Sequence, residues 1–202
     1  MTERLLTLVR HGRTEANAAN LLQGRVDNDL DHVGRAQAAA LGPALARIAA
    51  VDRIVASPLV RARRTAEAIA THLSIPEVEI DERWIELDYG DWDGKPMSVV
   101  GAETWARWRT DPELRPPGGE TLIELDLRVR AALDDMCNDQ RGHHTVVVSH
   151  VSPIKAAVAW ALGVDIGVSW RTALDRASMS TLRLDAARPV LVTFNVTVHH
   201  EK

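Results

Sequence analysis

The chain has 202 residues, with 24 Lys and Arg against 28 Asp and Glu, for a formal net charge of −4. That length supports one sizeable core, expected here as a single domain over residues 1–202, and no linker, internal repeat or low-complexity tract divides it. The acidic balance argues against a general nucleic-acid or anionic membrane surface, no apolar run is long enough for a bilayer span, and Cys137 is the only cysteine, so no internal disulfide can form. With a start too short and polar before Leu5 for a signal peptide, a cytoplasmic protein is expected.

Residues 4–9 are aliphatic and β-branched, as in a strand buried on both faces; Gly12 then breaks the run and Thr14 can open a helix. Arg10 and His11 are thereby delivered to a strand-to-helix corner. Unpaired backbone N–H groups and the positive dipole end of the following helix favour an anion there, and Arg10 adds a planar fork of donors. Taken alone, the pair fits an edge salt bridge and a satisfied histidine equally well. Gly34–Ile48 is an alanine-rich helix with Leu41, Leu45 and Ile48 on one stripe.

Arg53–Ala56 forms a short strand running into Ser57, a good N-cap, and Pro58, a good first helical residue. Arg61 then falls in the first turn, Leu59, Ala62, Ala66, Ile69 and Leu73 form the core stripe, and Arg63 and Arg64 face solvent. Glu86 lies between Ile85 and Leu87, and a carboxyl shielded by apolar neighbours keeps a proton near neutrality. Its competing reading is a surface glutamate in a turn-rich stretch, since Gly90 and Gly94 mark turns.

From Lys95 to Glu120 the pattern turns irregular, with Met97, Trp105, Trp108, Arg109 and Arg115 on a short helix and a Pro/Gly-rich loop. Such a segment beside a rigid site decides what enters it. The tryptophans can instead pin the helix to the sheet, a reading favoured for Trp105. Leu122, Leu125, Val129, Leu133 and Met136 repeat at helical spacing, with Cys137 as a buried thiol in the same pattern. His144–Ser149 is a third buried strand, ending at His150, with Pro153 near the start of a helix that runs to Leu162. Residues 178–184 and 190–196 read as strands joined by a turn at Arg188 and Pro189, and His199 and His200 are expected in solvent.

A buried strand, a charged or imidazole residue and a helix thus recur in order three times. In an open parallel sheet the carboxyl ends of the strands share one edge, where ligands bind, so Arg10, His11, Arg61 and His150 can converge there. Two arginines would repel zinc, and no ligand pair has the usual close spacing, so no metal is expected. A phosphate monoester fits: arginines neutralise its oxygens, nearby cations keep the imidazole neutral, a neutral imidazole attacks phosphorus, and Glu86 is available to protonate the leaving alcohol.

These residues resemble the histidine phosphatase superfamily, the phosphoglycerate mutase-like fold. The resemblance rests on Arg10-His11-Gly12 with Thr14 and Asn17, on Ser57-Pro58-Leu59 leading to Arg61, and on Glu86 with Gly90, Trp92 and Gly94. The Pro116-Pro117-Gly118-Gly119-Glu120 loop and Ser149-His150 complete it, in the family's order from about Leu5 to about Leu184. It implies a three-layer α/β/α sandwich with a mostly parallel central sheet, His11 as the phosphorylated nucleophile, and Glu86 as the proton donor. Arg10, Arg61 and His150 would form the phosphate pocket, with Asn17, Gln23, Gly24 and Thr14 around it and no cofactor. Arg13 departs from the glutamate or glutamine common at that place and puts local charge and substrate preference in question.

The mutases it resembles carry a basic Glu-Arg-His-Tyr-Gly run and a longer insertion after it, whereas this chain has Glu86-Leu87-Asp88-Tyr89-Gly90 and a shorter wall. An acidic wall suits release and hydrolysis, so a phosphatase is expected, with a phosphoglycerate mutase and a non-catalytic phosphate-ligand sensor as alternatives. The partner is a small-molecule phosphate monoester: sugar phosphates, phosphoglycerate derivatives and nucleotide-precursor phosphates all fit. A homodimer is the candidate assembly.

Overall fold

The computed structural model describes residues 4–139, 141–184 and 188–198. In chain order the regular elements are β1 (Leu5–Arg10), α1 (Glu15–Ala18), α2 (His32–Ala46), β2 (Arg53–Ala56), α3 (Val60–Leu73) and β3 (Val78–Ile80). There follow α4 (Ala102–Trp108), α5 (Leu122–Asn138), β4 (His144–Ser149), α6 (Val151–Leu162), β5 (Met179–Leu184) and β6 (Pro189–Val196). Short 3-10 turns occupy 82–84, 90–92, 97–100 and 166–171.

The strands form one sheet in the order β3-β2-β4-β1-β5-β6. The first four are parallel, and β5 and β6 run antiparallel at the far edge. Side chains alternate between faces, and the burial follows that alternation. Leu6, Leu8, Val55, Val147 and Leu182 pack into one core with Leu125, Val129 and Leu133 of α5 and Ile154 and Val158 of α6. Val9, Ile54, Ala56, Val146 and Val148 face the other way, against Leu41 and Leu45 of α2 and Ala62, Ala66 and Ile69 of α3. A sheet covered on both faces needs apolar residues at every position, which is why β1 and β4 alternate so weakly in sequence. The one polar residue inside β1, Thr7, shares its Oγ1 with His144 Nε2 at 2.8 Å and Thr181 Oγ1 at 3.2 Å. The expected α/β/α architecture is what the structure shows.

Several local expectations change. α1 is a single turn, capped by Thr14 and Asn17 in a capping box. Ile48 lies beyond the end of α2 and is 42% exposed, not on its core stripe. Pro189 opens β6 and does not sit in the turn, as suits a residue without an N–H at the start of an edge strand. Ser57 is not the N-cap of α3. That helix starts two residues later behind Leu59, and Asp27 from a distant loop caps it by accepting from Val60 N at 2.6 Å. Arg61 still falls in its first turn, with Arg63 and Arg64 exposed. Cys137 is half-buried, and burial pushes its thiol pKa up. No helix among the described residues is long and apolar enough to cross a membrane. His199 and His200 lie outside the described residues.

Candidate active site

β1 and β4 are neighbours, with Arg10 in register with Ser149, so the residues that follow them meet at the carboxyl edge of the sheet. The His11 and His150 rings lie there with centroids 5.1 Å apart, tilted by 57°. Both histidines are buried. Both have pKa values well below the ordinary 6.5, because burial disfavours the charged ring and Arg61 and Arg10 add to that cost. His11 Nδ1 donates to its neighbour's carbonyl, Gly12 O, at 2.7 Å. That bond places the ring proton on Nδ1 and leaves Nε2 with a free lone pair. His150 Nε2 lies 2.7 Å from Ser57 Oγ. Where the Ser57 hydroxyl donates to this nitrogen, His150 carries its own proton on Nδ1. Ser57 therefore orients a histidine instead of capping a helix.

The anion-binding character of this corner comes from side chains, contrary to the expectation of open backbone donors. His11 N donates to Ser149 O, Gly12 N to Thr65 Oγ1, Arg13 N to Gln37 Oε1 and Thr14 N to Asn17 Oδ1. Gly12 is needed for close approach: a Cβ there would stand 2.4 Å from Gly34 O. With those backbone groups occupied, the buried donors left without a protein partner at the site are Arg10 Nε, Gln23 Nε2, Arg61 Nε, His150 Nδ1 and Arg176 Nε. Unpaired buried donors are costly, and a phosphate offers them acceptors.

Each arginine is anchored by backbone carbonyls and not by a carboxylate. Arg10 donates to Leu174 O at 2.6 Å, and Arg61 to Val26 O at 2.8 Å and Gly24 O at 2.6 Å. Burial pulls both guanidinium pKa values down to about 10, with Glu86 opposing the shift in each. Gln23 Oε1 accepts from Thr14 Oγ1 at 2.8 Å and Asn17 Nδ2 at 3.1 Å, which fixes its amide and frees Nε2. The structure thus brings together Arg10, His11, Arg61, Glu86 and His150, with Thr14, Asn17, Gln23 and Gly24 on the adjoining loop.

Glu86 is buried, but backbone donors hold it instead of apolar neighbours. Oε1 accepts from Leu87 N at 2.7 Å and Ser152 N at 3.2 Å, and Oε2 from Val151 N at 3.0 Å. Two of those donors are the first residues of α6, so the anion at that helix end is Glu86 itself. Leu87 turns into the core. Arg13 forms an ion pair with Asp31 at 2.7 Å, which settles its charge locally. Asp88 is likewise compensated: it pairs with Arg25 at 3.2 Å, and Arg25 also approaches Glu120 at 3.6 Å, so the expected acidic wall is a mixed-charge one.

Two residues near the site carried no signal in the sequence. Arg176, at the approach to β5, donates to Asn17 O at 3.1 Å, and its charge disfavours protonation of His11 and Arg10. It is one arginine among many in a run without a motif. Lys155 on α6 donates to Ser169 O at 2.8 Å, and its pKa is lowered by burial and by Arg10. Trp108 packs against Tyr89, Trp92, Trp105 and Trp170, with ring centroids 5.5 to 5.9 Å away. Trp108 is the fully buried pin, and Trp105, partly exposed, packs beside it against the core and donates its Nε1 to Met97 O. Arg109 and Arg115 are exposed, and Arg115 binds Gly119 O and Glu124. No cluster of three or more metal-ligating side chains occurs among the described residues.

A family model described as histidine phosphatase superfamily (branch 1) matches residues 6–197. A bifunctional protein of Mycobacterium tuberculosis is 37% identical over 178 residues, 87% of this chain but 49% of the relative, so the chain spans about half the length of that relative. Phosphoserine phosphatase 1 of Hydrogenobacter thermophilus is 35% identical over 198 residues, 96% of this chain and 93% of its own. A 2,3-bisphosphoglycerate-dependent phosphoglycerate mutase of Methylobacterium is 37% identical over 166 residues, 77% of this chain and 79% of its own. Among solved structures, a phosphoserine phosphatase mutant of Entamoeba histolytica in complex with phosphoserine superposes with a TM-score of 0.87 at 27% identity, covering 97% of this chain and 98% of that one. With the match running through both histidines, the fold and the site leave one family: the chain belongs to the histidine phosphatase superfamily, branch 1.

Proposed function

We propose that the protein is a phosphomonoester hydrolase acting on a small phosphorylated metabolite through a phosphohistidine at His11. The observation that carries this reading is the His11 ring. Its Nδ1 is committed to Gly12 O, its pKa is held well below the ordinary value, and buried guanidinium and imidazole donors without partners surround it. A neutral imidazole with its lone pair on Nε2, facing donors suited to phosphoryl oxygens, is a nucleophile with its oxyanion site already built.

In the first step Nε2 attacks phosphorus, the P–O ester bond breaks, and the leaving oxygen takes a proton from Glu86. In the second step water attacks the phosphohistidine, Glu86 receives its proton, the P–N bond breaks and inorganic phosphate leaves. Arg10, Arg61 and His150 Nδ1 hold the phosphoryl oxygens through both steps, with Gln23 Nε2 and Asn17 at one side and Gly24 in the loop behind.

Those fixed charges take the place of a divalent ion, so no metal or cofactor is part of the reading. Relatives that carry phosphatase names support hydrolysis over exchange, as does Asp88, which stands where the resembling mutases have a basic residue and is tied to Arg25. Residues 95–120 form the segment that covers the bound alcohol. A soluble protein of the cytoplasm, without nucleic-acid or membrane partners, completes the reading, supported by the acidic balance and a lone cysteine. Released phosphate from a panel of monoesters, with a parallel assay of 3- to 2-phosphoglycerate exchange, tests it. Hydrolysis with acid-labile label on His11 is expected; exchange alone, or binding without turnover, would replace it.

A further inference from the structure

Arg61 is fully buried, yet no carboxylate among the described residues forms an ion pair with it, and its fork is held by two carbonyls of the loop at 24–28, which is exposed from Arg25 to Asp27. Something must hold those carbonyls in turn. The same two residues turn their N–H groups the opposite way, onto one carboxylate. Asp93 Oδ1 accepts from Gly24 N at 2.7 Å, and Oδ2 from Arg25 N at 2.6 Å and Val26 N at 2.9 Å. The peptide unit between Gly24 and Arg25 is therefore gripped at both ends, its carbonyl by Arg61 and its N–H by Asp93, and Val26 is held by Asp93 through nitrogen and by Arg61 through oxygen.

The base of the grip is fixed as well. Gly94 N donates to Leu22 O and Leu22 N to Lys95 O, both at 2.8 Å, so the strand of chain carrying Asp93 is stitched to the start of the loop. Asp27 in the loop caps α3, the helix that bears Arg61. Gly24 has no space to shift toward the acid-bearing segment, since a Cβ there would stand 2.5 Å from Leu87 O and 2.8 Å from Tyr89 Cδ2.

We infer that Asp93 is a positioning residue for the phosphate site, acting through the 24–26 backbone to set the plane and depth of the Arg61 guanidinium. A planar fork delivers its donors in fixed directions, so a rotation that frees one carbonyl misaims Nε as well. The three short amide-to-carboxylate bonds are of the charge-assisted kind, which makes Asp93 a stiff anchor. The inference rests on the reading of Arg61 as a phosphoryl ligand.

The test is a double-mutant cycle on hydrolysis of para-nitrophenyl phosphate, with vanadate inhibition measured alongside. The cycle uses wild type, Asp93→Asn, Arg61→Lys and the double variant, each checked for folding by circular dichroism. An amide nitrogen cannot accept, so Asp93→Asn loses bonds at one of the two oxygen positions. Its kcat/KM is expected to fall about thirtyfold, chiefly through KM and with weaker vanadate inhibition, as when a geometry-setting contact is lost. Arg61→Lys keeps a charge but no fork, and in that background Asp93→Asn is expected to cost less than about threefold. Equal losses in both backgrounds, or none in either, overturn the inference while leaving Arg61 in the site. An Arg61→Lys variant as active as wild type overturns the phosphate-pocket reading itself. Should Asp93→Asn fail to fold, Asp93→Glu goes through the same cycle with the same criteria.

Discussion

The two sides of the site are built from different physics. The phosphate side is a set of buried charges held by backbone: Arg10 and Arg61 lean on carbonyls, Glu86 on amides, and donors are left without partners. The neighbouring wall, from Asp88 to Glu120 with Trp170, pairs its charges internally and leaves one buried donor, Trp108 Nε1, without a partner among the described residues. Arg128 closes on Glu120 at 2.7 Å, Arg25 on Asp88 at 3.2 Å, and four aromatic rings surround Trp108. A region of buried guanidinium groups with unmet donors is shaped for an anion, whereas a region whose charges pair internally can vary without loss of the fold. On the proposed reading the reaction belongs to the sheet edge and the choice of alcohol to the wall.

The sharpest break of that contrast is at His11. His11→Asn keeps a polar side chain of similar reach but removes the nucleophile, and turnover is expected to fall by about 10⁴-fold or more, with no acid-labile phosphate on the protein. Rapid quenching and mass spectrometry check it. Label on His150, or retained turnover, would move the reaction away from the first strand.

Much of this region was legible in the sequence because its causes are local. A strand buried on both faces needs an unbroken aliphatic run, so β1, β2 and β4 announce themselves, and the residues that follow them fall on one edge of a parallel sheet. What the sequence did not disclose are contacts that join distant residues. Ser57 looks like a helix cap until the fold brings His150 to its hydroxyl. Arg13 looks like a pocket charge until Asp31 is found beside it. Arg176 and Asp93 bear on the site only through Asn17 and the 24–26 amides, and no periodicity marks such a contact. Which tryptophan of α4 is fully buried is not legible either, because that depends on which of them meets Tyr89 and Trp92, not on their spacing.

The next effect concerns protons. Arg61 is among the main causes, after burial, that keep His11 and His150 below 6.5. Removing a neighbouring cation makes protonation easier, so Arg61→Ala raises both pKa values and moves the acid limb of kcat/KM to higher pH. At its optimum the rate is expected to fall about 10³-fold. Stability follows the same linkage. In wild type the unfolded histidines bind protons near 6.5 while the folded ones do not, so stability declines as pH falls below that value. In Arg61→Ala this decline should be shallower. Urea midpoints measured across pH 5 to 7.5, on the order of one unit either side of 6.5, test it. A steeper decline in the variant would mean that Arg61 does not face these rings.

On the wall the largest effect should be one of stability. Trp108→Ala removes the buried centre of the aromatic cluster and is expected to cost about 3 kcal/mol, the lower end for a buried tryptophan because the surrounding rings can lean inward. Vanadate inhibition of the folded variant should stay within about threefold of wild type, since the phosphate donors hang on other elements. Denaturant melts and inhibition assays measure the two separately. A large loss of vanadate binding with intact stability would show that the wall and the pocket are not separable.

The smallest effect belongs to Arg25, and it tests the contrast from the other direction. Its side chain is 42% exposed, and its partners lie at 3.2 Å on Asp88 and 3.6 Å on Glu120, so its charges are screened by water and salt. Exposed pairs of this kind contribute about 0 to 1 kcal/mol. Arg25→Ala keeps the backbone N–H that Asp93 grips and should therefore leave the Arg61 fork in place. The expected change in kcat/KM for para-nitrophenyl phosphate is about threefold or less, with little change on raising the salt from 0.1 to 0.5 M, roughly a halving of the screening length. Esters whose alcohol carries a carboxylate provide the finer reading. If Arg25 serves only to neutralise Asp88, losing it uncovers a negative charge on the wall, and these anionic esters should suffer more than the neutral ones at low salt and recover at high salt. If all esters lose equally and salt changes nothing, the side chain of Arg25 reaches the reacting phosphate, and the division between a catalytic edge and a selective wall fails at that residue.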